Sequence, residues 1–132
     1  MDVLIREGIC LPRATLTEKN LPDQAGKVFI VTGGYTGVGW HLSKILYQRN
    51  GVVYIAGRRK EKFDEAIASI KKECPDSSGR LEYLHLDLAD LPSIAKAAQE
   101  FGAKEDRLDV LTNNAGVMFP PVGSKSNQVT VP

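Results

Sequence analysis

Residues 28–40 read VFIVTGGYTGVGW, and this stretch decides the fold. Its first four residues are apolar and mostly β-branched, which is typical of a parallel strand buried on both faces. A glycine turn follows at once, and beyond it apolar residues recur on one helical face: Val38, Leu42, Ile45 and Leu46. Asn50 and Gly51 then tolerate the left-handed conformation in which helices end. We therefore predict a strand over residues 28–31 and a helix over about residues 38–49.

The alternation of strand and helix continues along the chain. A second buried-strand pattern covers residues 52–56, and a helical pattern follows over residues 60–72. The predicted buried face of this second helix consists of Phe63, Ile67 and Ile70. A polar loop leads to a third strand over residues 81–86, with Asp87 at its end.

A third helix and a fourth strand complete the pattern. Asp90 is suited to cap the helix and Pro92 to occupy its first turn. Its predicted buried face consists of Ile94, Ala98 and Phe101. The last strand covers residues 108–112, and its apolar far edge is expected to be unpaired, so that the isolated chain would be marginally stable or prone to aggregate.

Four strands alternating with three helices predict an α/β fold, namely a partial Rossmann fold with a doubly wound parallel sheet in the order 3-2-1-4. The length of 132 residues allows one domain. We expect a nucleotide-binding lobe over residues 27–118, preceded by an extended lead-in over residues 1–26. An irregular polar tail is expected over residues 119–132.

Composition excludes several classes of partner. A net charge of +1 provides no field that would attract nucleic acid or anionic lipid, and no apolar run approaches the length of a membrane helix. Cys10 and Cys74 lack the spacing of a metal site or a disulfide framework, so no metal is predicted. The expected location is the cytosol.

The glycines between the first strand and the first helix carry the strongest chemical signal. Backbone N–H groups and the positive end of a helix bind a pyrophosphate there, so side chains must be absent where the backbone approaches phosphate and where the helix packs on the strand. Gly33, Gly37 and Gly39 meet that requirement. The alternative is a glycine-rich turn without function. A P-loop is excluded because no Gly-Lys-Ser/Thr follows.

The pattern Thr-Gly-x-x-x-Gly-x-Gly at residues 32–39 resembles the cofactor motif of the classical short-chain dehydrogenases/reductases. The Asn-Asn-Ala-Gly segment at residues 113–116 and the Asp-Leu pair at residues 87–88 resemble two further motifs of the same family. Two motifs about eighty residues apart are much more specific than one. The resemblance implies that a dinucleotide is bound by Gly33, Tyr35, Thr36, Gly37, Val38, Gly39, Arg58, Arg59, Asp87, Leu88, Asn114, Ala115 and Gly116.

The choice of cofactor depends on the end of the second strand, about 20 residues beyond the glycine turn. A carboxylate there would bind the ribose diol of NAD, whereas an arginine would accept the 2′-phosphate of NADP. The sequence has Gly57-Arg58-Arg59-Lys60, with no carboxylate before Glu61. We therefore favour NADP over NAD, with Arg58 and Arg59 binding the phosphate.

Members of this family transfer a hydride between the nicotinamide and an alcohol or ketone, using a Tyr-x-x-x-Lys pair and an upstream serine. None of the four tyrosines of this chain has a lysine four positions on, so no catalytic residue is assigned. The resemblance implies a truncated cofactor-binding half that lacks the substrate loop and the helices of the usual dimer. Three interpretations remain open: an incomplete oxidoreductase acting on alcohols, ketones or retinoid- and steroid-like substrates, a non-catalytic NADP-binding or interaction module, and a non-functional gene product.

Overall fold

The computed structural model describes residues 15–117 and 122–123 of the chain. Four strands form one parallel sheet, and three helices pack on it. The strands are β1 (Val28–Thr32), β2 (Val52–Gly57), β3 (Arg80–His85) and β4 (Val110–Thr112). The helices are α1 (Gly37–Gln48), α2 (Lys60–Glu73) and α3 (Leu91–Gly102). The sheet order is β3-β2-β1-β4, which confirms the predicted fold class and topology.

The predicted fourth strand begins two residues too early. Leu108 and Asp109 precede β4, and the Asp109 carboxylate accepts the backbone N–H of Val28 at 2.8 Å. A side chain thus satisfies the amide at the start of β1. The backbone N–H of Asp109 in turn donates to the Val28 carbonyl at 2.9 Å, and the paired register runs from Phe29 and Val110. Arg107 forms an ion pair with the same carboxylate.

Apolar side chains cover both faces of the sheet, as expected for a doubly wound fold. Phe29 and Val31 belong to the cluster that includes residues of α1 and α2, namely Leu46, Tyr47, Phe63 and Ile70. Val28 and Ile30 point to the opposite face, where they meet Ala97 and Phe101 of α3. Alternate residues of β1 therefore contact opposite layers.

The predicted buried faces of two helices are wrong in part. Val38 of α1 is 77% exposed, and only Leu46 of the four predicted core residues is fully buried. In α3, Ile94 and Ala98 are exposed, whereas Ser93, Ala97 and Phe101 are buried. Both helices approach the sheet through small residues, which at α1 are Gly39 and Ser43. The spacing of bulky apolar residues does not reveal such a face, because a helix that packs close to the sheet needs small side chains there.

Helix α2 and the start of α3 agree better with the sequence. Phe63 and Ile70 are buried as predicted, together with Ala66, and Ile67 is half-buried. Pro92 lies in the first turn of α3 as predicted, whereas Asp90 occupies the N-cap position without a side-chain capping hydrogen bond.

Residues 15–26 lie against the C-terminal end of α1. Arg49 Nη2 donates to the carbonyl oxygens of Glu18 and Lys19 at 2.7 and 2.8 Å, and Asn50 Nδ2 donates to Asp23 at 3.0 Å. The rest of the predicted lead-in, including Cys10, lies outside the described residues, as does the predicted tail apart from residues 122–123. The domain boundary near residue 27 stays a prediction.

The edge of the sheet at β4 is apolar and exposed, as predicted. Leu108, Val110 and Leu111 are between 42% and 49% exposed, and no strand among the described residues pairs with this edge. Within the same residues, no helix has both the length and the apolar character needed to cross a bilayer.

The Asp109 contact makes a prediction for the pH dependence of stability. The Arg107 guanidinium and the Val28 N–H lower the pKa of the Asp109 carboxyl below its usual range. A lowered pKa stabilises the fold above the unfolded-state value of about 4, and this contribution is lost as the pH falls through the folded-state pKa. Asp109→Asn should therefore lower the urea midpoint at pH 7, and the difference should shrink below about pH 4.

The matched control is Asp106→Asn, which removes an exposed carboxylate from the same loop. We expect it to leave the urea midpoint nearly unchanged at both pH values. An effect of Asp109→Asn that is independent of pH, or equal to that of the control, would contradict the assignment.

Candidate functional site

A cleft of about 850 Å³ opens at the carboxyl ends of the strands. In doubly wound folds, ligands bind at this edge, at the point where the strand order reverses. All of the site residues predicted from the sequence line the cleft, with the exception of Gly39. The cleft is also lined by residues that the sequence interpretation missed, namely Ala56, Gly57, Leu86, Ala89 and Val117. Each of these directly follows or precedes a predicted site residue or a strand end, so including the neighbours of each strand end would have found them.

The turn between β1 and α1 has the backbone conformation that glycine permits. Gly33 and Gly37 have φ values of +64° and +55°. A Cβ atom on Gly33 would lie 3.3 Å from the Cα of Ala115, whereas one on Gly37 would meet no atom within 4 Å. Helix α1 begins at Gly37 and has no acidic residue in its first turn. The positive end of the helix dipole at this wall of the cleft is therefore not offset by a carboxylate of that turn.

Gly39 lies beneath the cleft and not in its wall. It is buried, and a Cβ atom there would lie 2.5 Å from Asn114 Nδ2 and 2.7 Å from the carbonyl oxygen of Gly33. The absence of a side chain therefore lets α1 pack directly on the turn that precedes it. This packing meets the requirement that no side chain stand where the helix packs on the strand, and a contact of Gly39 with the cofactor stays a prediction.

Hydrogen bonds of Thr32 and Asn114 join the two sequence motifs. Thr32 Oγ1 accepts the backbone N–H groups of Asn114 and Ala115, each at 2.9 Å, and donates to the Thr112 carbonyl at 3.3 Å. The Asn114 side chain donates in return to the Thr32 carbonyl at 3.0 Å. We call these contacts the Thr32–Asn114 clasp. The clasp holds the segment after β4 against the glycine turn after β1.

The end of β2 is covered by an aromatic side chain. The ring of Tyr35 packs against Gly57 so closely that a Cβ atom at residue 57 would overlap it. The Tyr83 hydroxyl donates to the Gly57 carbonyl at 2.9 Å. Burial raises the pKa of Tyr83, and the neighbouring Tyr35 adds to the effect.

Two arginines follow Gly57 at the rim of the cleft. Both Arg58 and Arg59 are exposed, and neither forms an ion pair with another residue in the described part of the chain. Lys60, by contrast, is paired with Asp64 at 3.0 Å. The guanidinium groups of both arginines are thus available to an anion in the cleft.

The loop after β3 forms another wall. Asp87 accepts the N–H of Ala89 through its carboxylate at 2.9 Å, and its own N–H donates to Ser93 Oγ at 2.9 Å. Leu88, 49% exposed, lies at the cleft. Among residues 15–117 and 122–123, no group of three or more His, Cys, Asp or Glu side chains is arranged to hold a metal ion.

The fold and the cleft together define the class: an α/β protein with a glycine turn at the switch point of its sheet, an arrangement typical of dinucleotide-binding folds. The sequence model of the short chain dehydrogenase family matches residues 27–130, and the chain belongs to this family.

Known proteins support this assignment. The chain is 58% identical over 113 residues to the short-chain dehydrogenase/reductase pkfC of Emericella nidulans, a match that covers 86% of this chain and 36% of that protein. It is 49% identical over 112 residues to a short-chain dehydrogenase/reductase of Phomopsis amygdali, covering 85% and 34%. The chain thus spans about a third of the length of these relatives.

Among solved structures, the chain is similar to a metagenomic short-chain oxidoreductase in complex with NADP. The TM-score is 0.63 at 32% sequence identity, and the match covers 70% of this chain and 40% of that one.

The packing at Gly39 makes a prediction for stability. Gly39→Ala should destabilise the chain by about 1–3 kcal/mol, because the added methyl group overlaps the Asn114 amide and the Gly33 carbonyl. The measurement is urea unfolding followed by circular dichroism. Gly102→Ala is the matched control, since a Cβ atom there meets nothing within 4 Å and the residue ends α3. Equal effects of the two substitutions would contradict the packing role of Gly39.

Proposed function

We propose that residues 27–118 bind NADP(H) and serve a short-chain oxidoreductase that interconverts an alcohol and a ketone. The observation that carries the proposal is the cleft that gathers the glycine turn, the arginine pair and residues 114–116 at one edge of the sheet. When bound, the cofactor supplies or accepts the hydride.

The glycine turn fits the pyrophosphate. Gly37 is open to the cleft, its φ of +55° suits glycine, and α1 begins there without an acidic residue in its first turn. Backbone N–H groups at the start of α1 would bind the phosphate oxygens. In the proposal, Tyr35, Thr36 and Val38 shape this wall, and Gly33 lets the Ala115 backbone approach.

The preference for NADP over NAD rests on charge. Arg58 and Arg59 are exposed at the rim and have no acidic partner in the described part of the chain. A 2′-phosphate would pair with them, whereas a ribose diol would find no carboxylate at residue 57. The similarity to an oxidoreductase crystallised with NADP supports the proposal.

The remaining cleft residues would orient the two ends of the cofactor. Asp87 and Leu88 would border the adenine, and Asn114, Ala115 and Gly116 the nicotinamide side. No proton-transfer residue is assigned in this sequence, since none of its tyrosines has a lysine four positions on. A second candidate is an NADP-binding module without turnover, since the cleft alone supports nucleotide binding.

The substrate class in this proposal is a small-molecule alcohol or ketone, including retinoid- and steroid-like compounds. We propose a cytosolic setting, in which the buried Cys74 stays a free thiol. Neither nucleic acid nor a membrane is proposed as a partner, in keeping with the net charge of +1.

The test is titration of the purified chain with NADPH and NADH, followed by nicotinamide fluorescence and thermal stabilisation. NADPH should bind at least about tenfold more tightly than NADH, and Arg59→Asp should remove most of that difference. Because the arginines are exposed, the preference should fall as salt is raised.

Lys96→Asp is the matched control, because it makes the same charge change on exposed α3 surface away from the cleft. We expect it to leave the preference unchanged. Equal binding of the two cofactors by the unaltered chain, or a preference that survives Arg59→Asp, would refute the assignment. NADPH binding without turnover of any alcohol or ketone would favour the second candidate.

A further inference from the structure

The contact between Tyr35 and Gly57 has a consequence for cofactor choice. A Cβ atom at residue 57 would overlap Tyr35 Cε1 and would lie 3.0 Å from both Cζ and the hydroxyl oxygen. The ring therefore occupies the volume in which any side chain of residue 57 would begin. Since Gly57 ends β2 in extended conformation, its backbone alone does not require glycine.

Neither partner of this contact is loosely held. The Tyr35 ring is half-buried and packs against the core cluster that includes Val31, Ile55 and Phe63. Residue 57 is held by the Tyr83 hydroxyl at 2.9 Å and by pairing with β3. A side chain at residue 57 would thus have to displace an aromatic ring from the core edge.

The position matters because an acidic residue at the end of the second strand is what binds the ribose diol of NAD in such folds. We infer that Tyr35 is a specificity-determining residue, whose ring excludes a side chain at residue 57 and leaves the adenosine ribose to Arg58 and Arg59. This inference rests on the proposed function.

An acidic residue at position 57 should therefore bind the ribose diol of NAD only when the Tyr35 ring is absent. With Tyr35 in place, Gly57→Asp forces the ring or the strand to move and brings a negative charge toward the 2′-phosphate. With Tyr35→Ser, the carboxylate gains the space vacated by the ring and can meet a ribose diol. Tyr35→Phe is the matched control, since it keeps the ring and loses only the hydroxyl.

The first experiment measures NADPH and NADH dissociation constants for these variants of the chain. Gly57→Asp should weaken the binding of both cofactors at least about tenfold. Tyr35→Ser with Gly57→Asp should bind NADH at least about tenfold more tightly than Gly57→Asp alone, whereas Tyr35→Phe with Gly57→Asp should show no such recovery. If Gly57→Asp alone binds NADH as tightly as the double variant, or if the double variant shows no recovery, the inference is overturned.

A second experiment needs no nucleotide. Gly57→Ala should lower the thermal midpoint by at least about 4 °C when Tyr35 is present, and should leave it unchanged or raise it in the Tyr35→Ser background. Equal shifts in the two backgrounds would show that the ring does not exclude the side chain and would overturn the inference.

The two proposals fail in different ways. If the unaltered chain does not prefer NADPH, the proposed function fails, and the inference about selectivity fails with it. If the chain prefers NADPH but the Tyr35 variants give no NADH recovery or no difference between backgrounds, only the role of Tyr35 is refuted.

Discussion

The Thr32–Asn114 clasp is the interaction on which the site depends. It joins residues 82 positions apart, so it forms only when β4 pairs beside β1. Thr32 is 4% exposed, and its hydroxyl accepts the backbone N–H of Ala115 and shares that of Asn114 with the Thr112 carbonyl. Each hydrogen bond of this kind contributes about 0.5–1.5 kcal/mol, so the several bonds of the clasp together favour one arrangement of the two loops.

The cleft follows from this arrangement. The clasp fixes the segment after β4 against the glycine turn. The Ala115 backbone then lies so close to Gly33, and the Asn114 amide so close to Gly39, that neither position has room for a side chain. The same turn places Tyr35 over the end of β2, beside the two rim arginines. One set of contacts thus relates the proposed phosphate site to the site proposed to select the cofactor.

Features that depend on a local sequence pattern could be predicted, whereas features that depend on side-chain packing could not. The strands, their order and 12 of the 17 cleft residues could be predicted, because buried parallel strands and a glycine turn have strong signatures. The buried faces at Val38 and Ile94 were wrong, because α1 and α3 approach the sheet through small residues. The contact of Tyr35 with Gly57 depends on a side chain that bridges two loops, and the spacing of residues along the sequence does not reveal such a contact.

The central claim is that the clasp builds the cofactor cleft, and a double-mutant cycle on Thr32→Val and Asn114→Ala tests it most directly. NADPH affinity and urea stability would be measured for the unaltered chain, both single variants and the double variant. Thr32→Val removes the hydroxyl that accepts the Asn114 and Ala115 backbone N–H groups, and Asn114→Ala removes the amide that donates to the Thr32 carbonyl. We predict that each single substitution weakens NADPH binding about tenfold and that the double variant is little worse than either, because the two sets of hydrogen bonds hold the same pair of loops. Additive effects on stability with unchanged NADPH affinity would contradict the account.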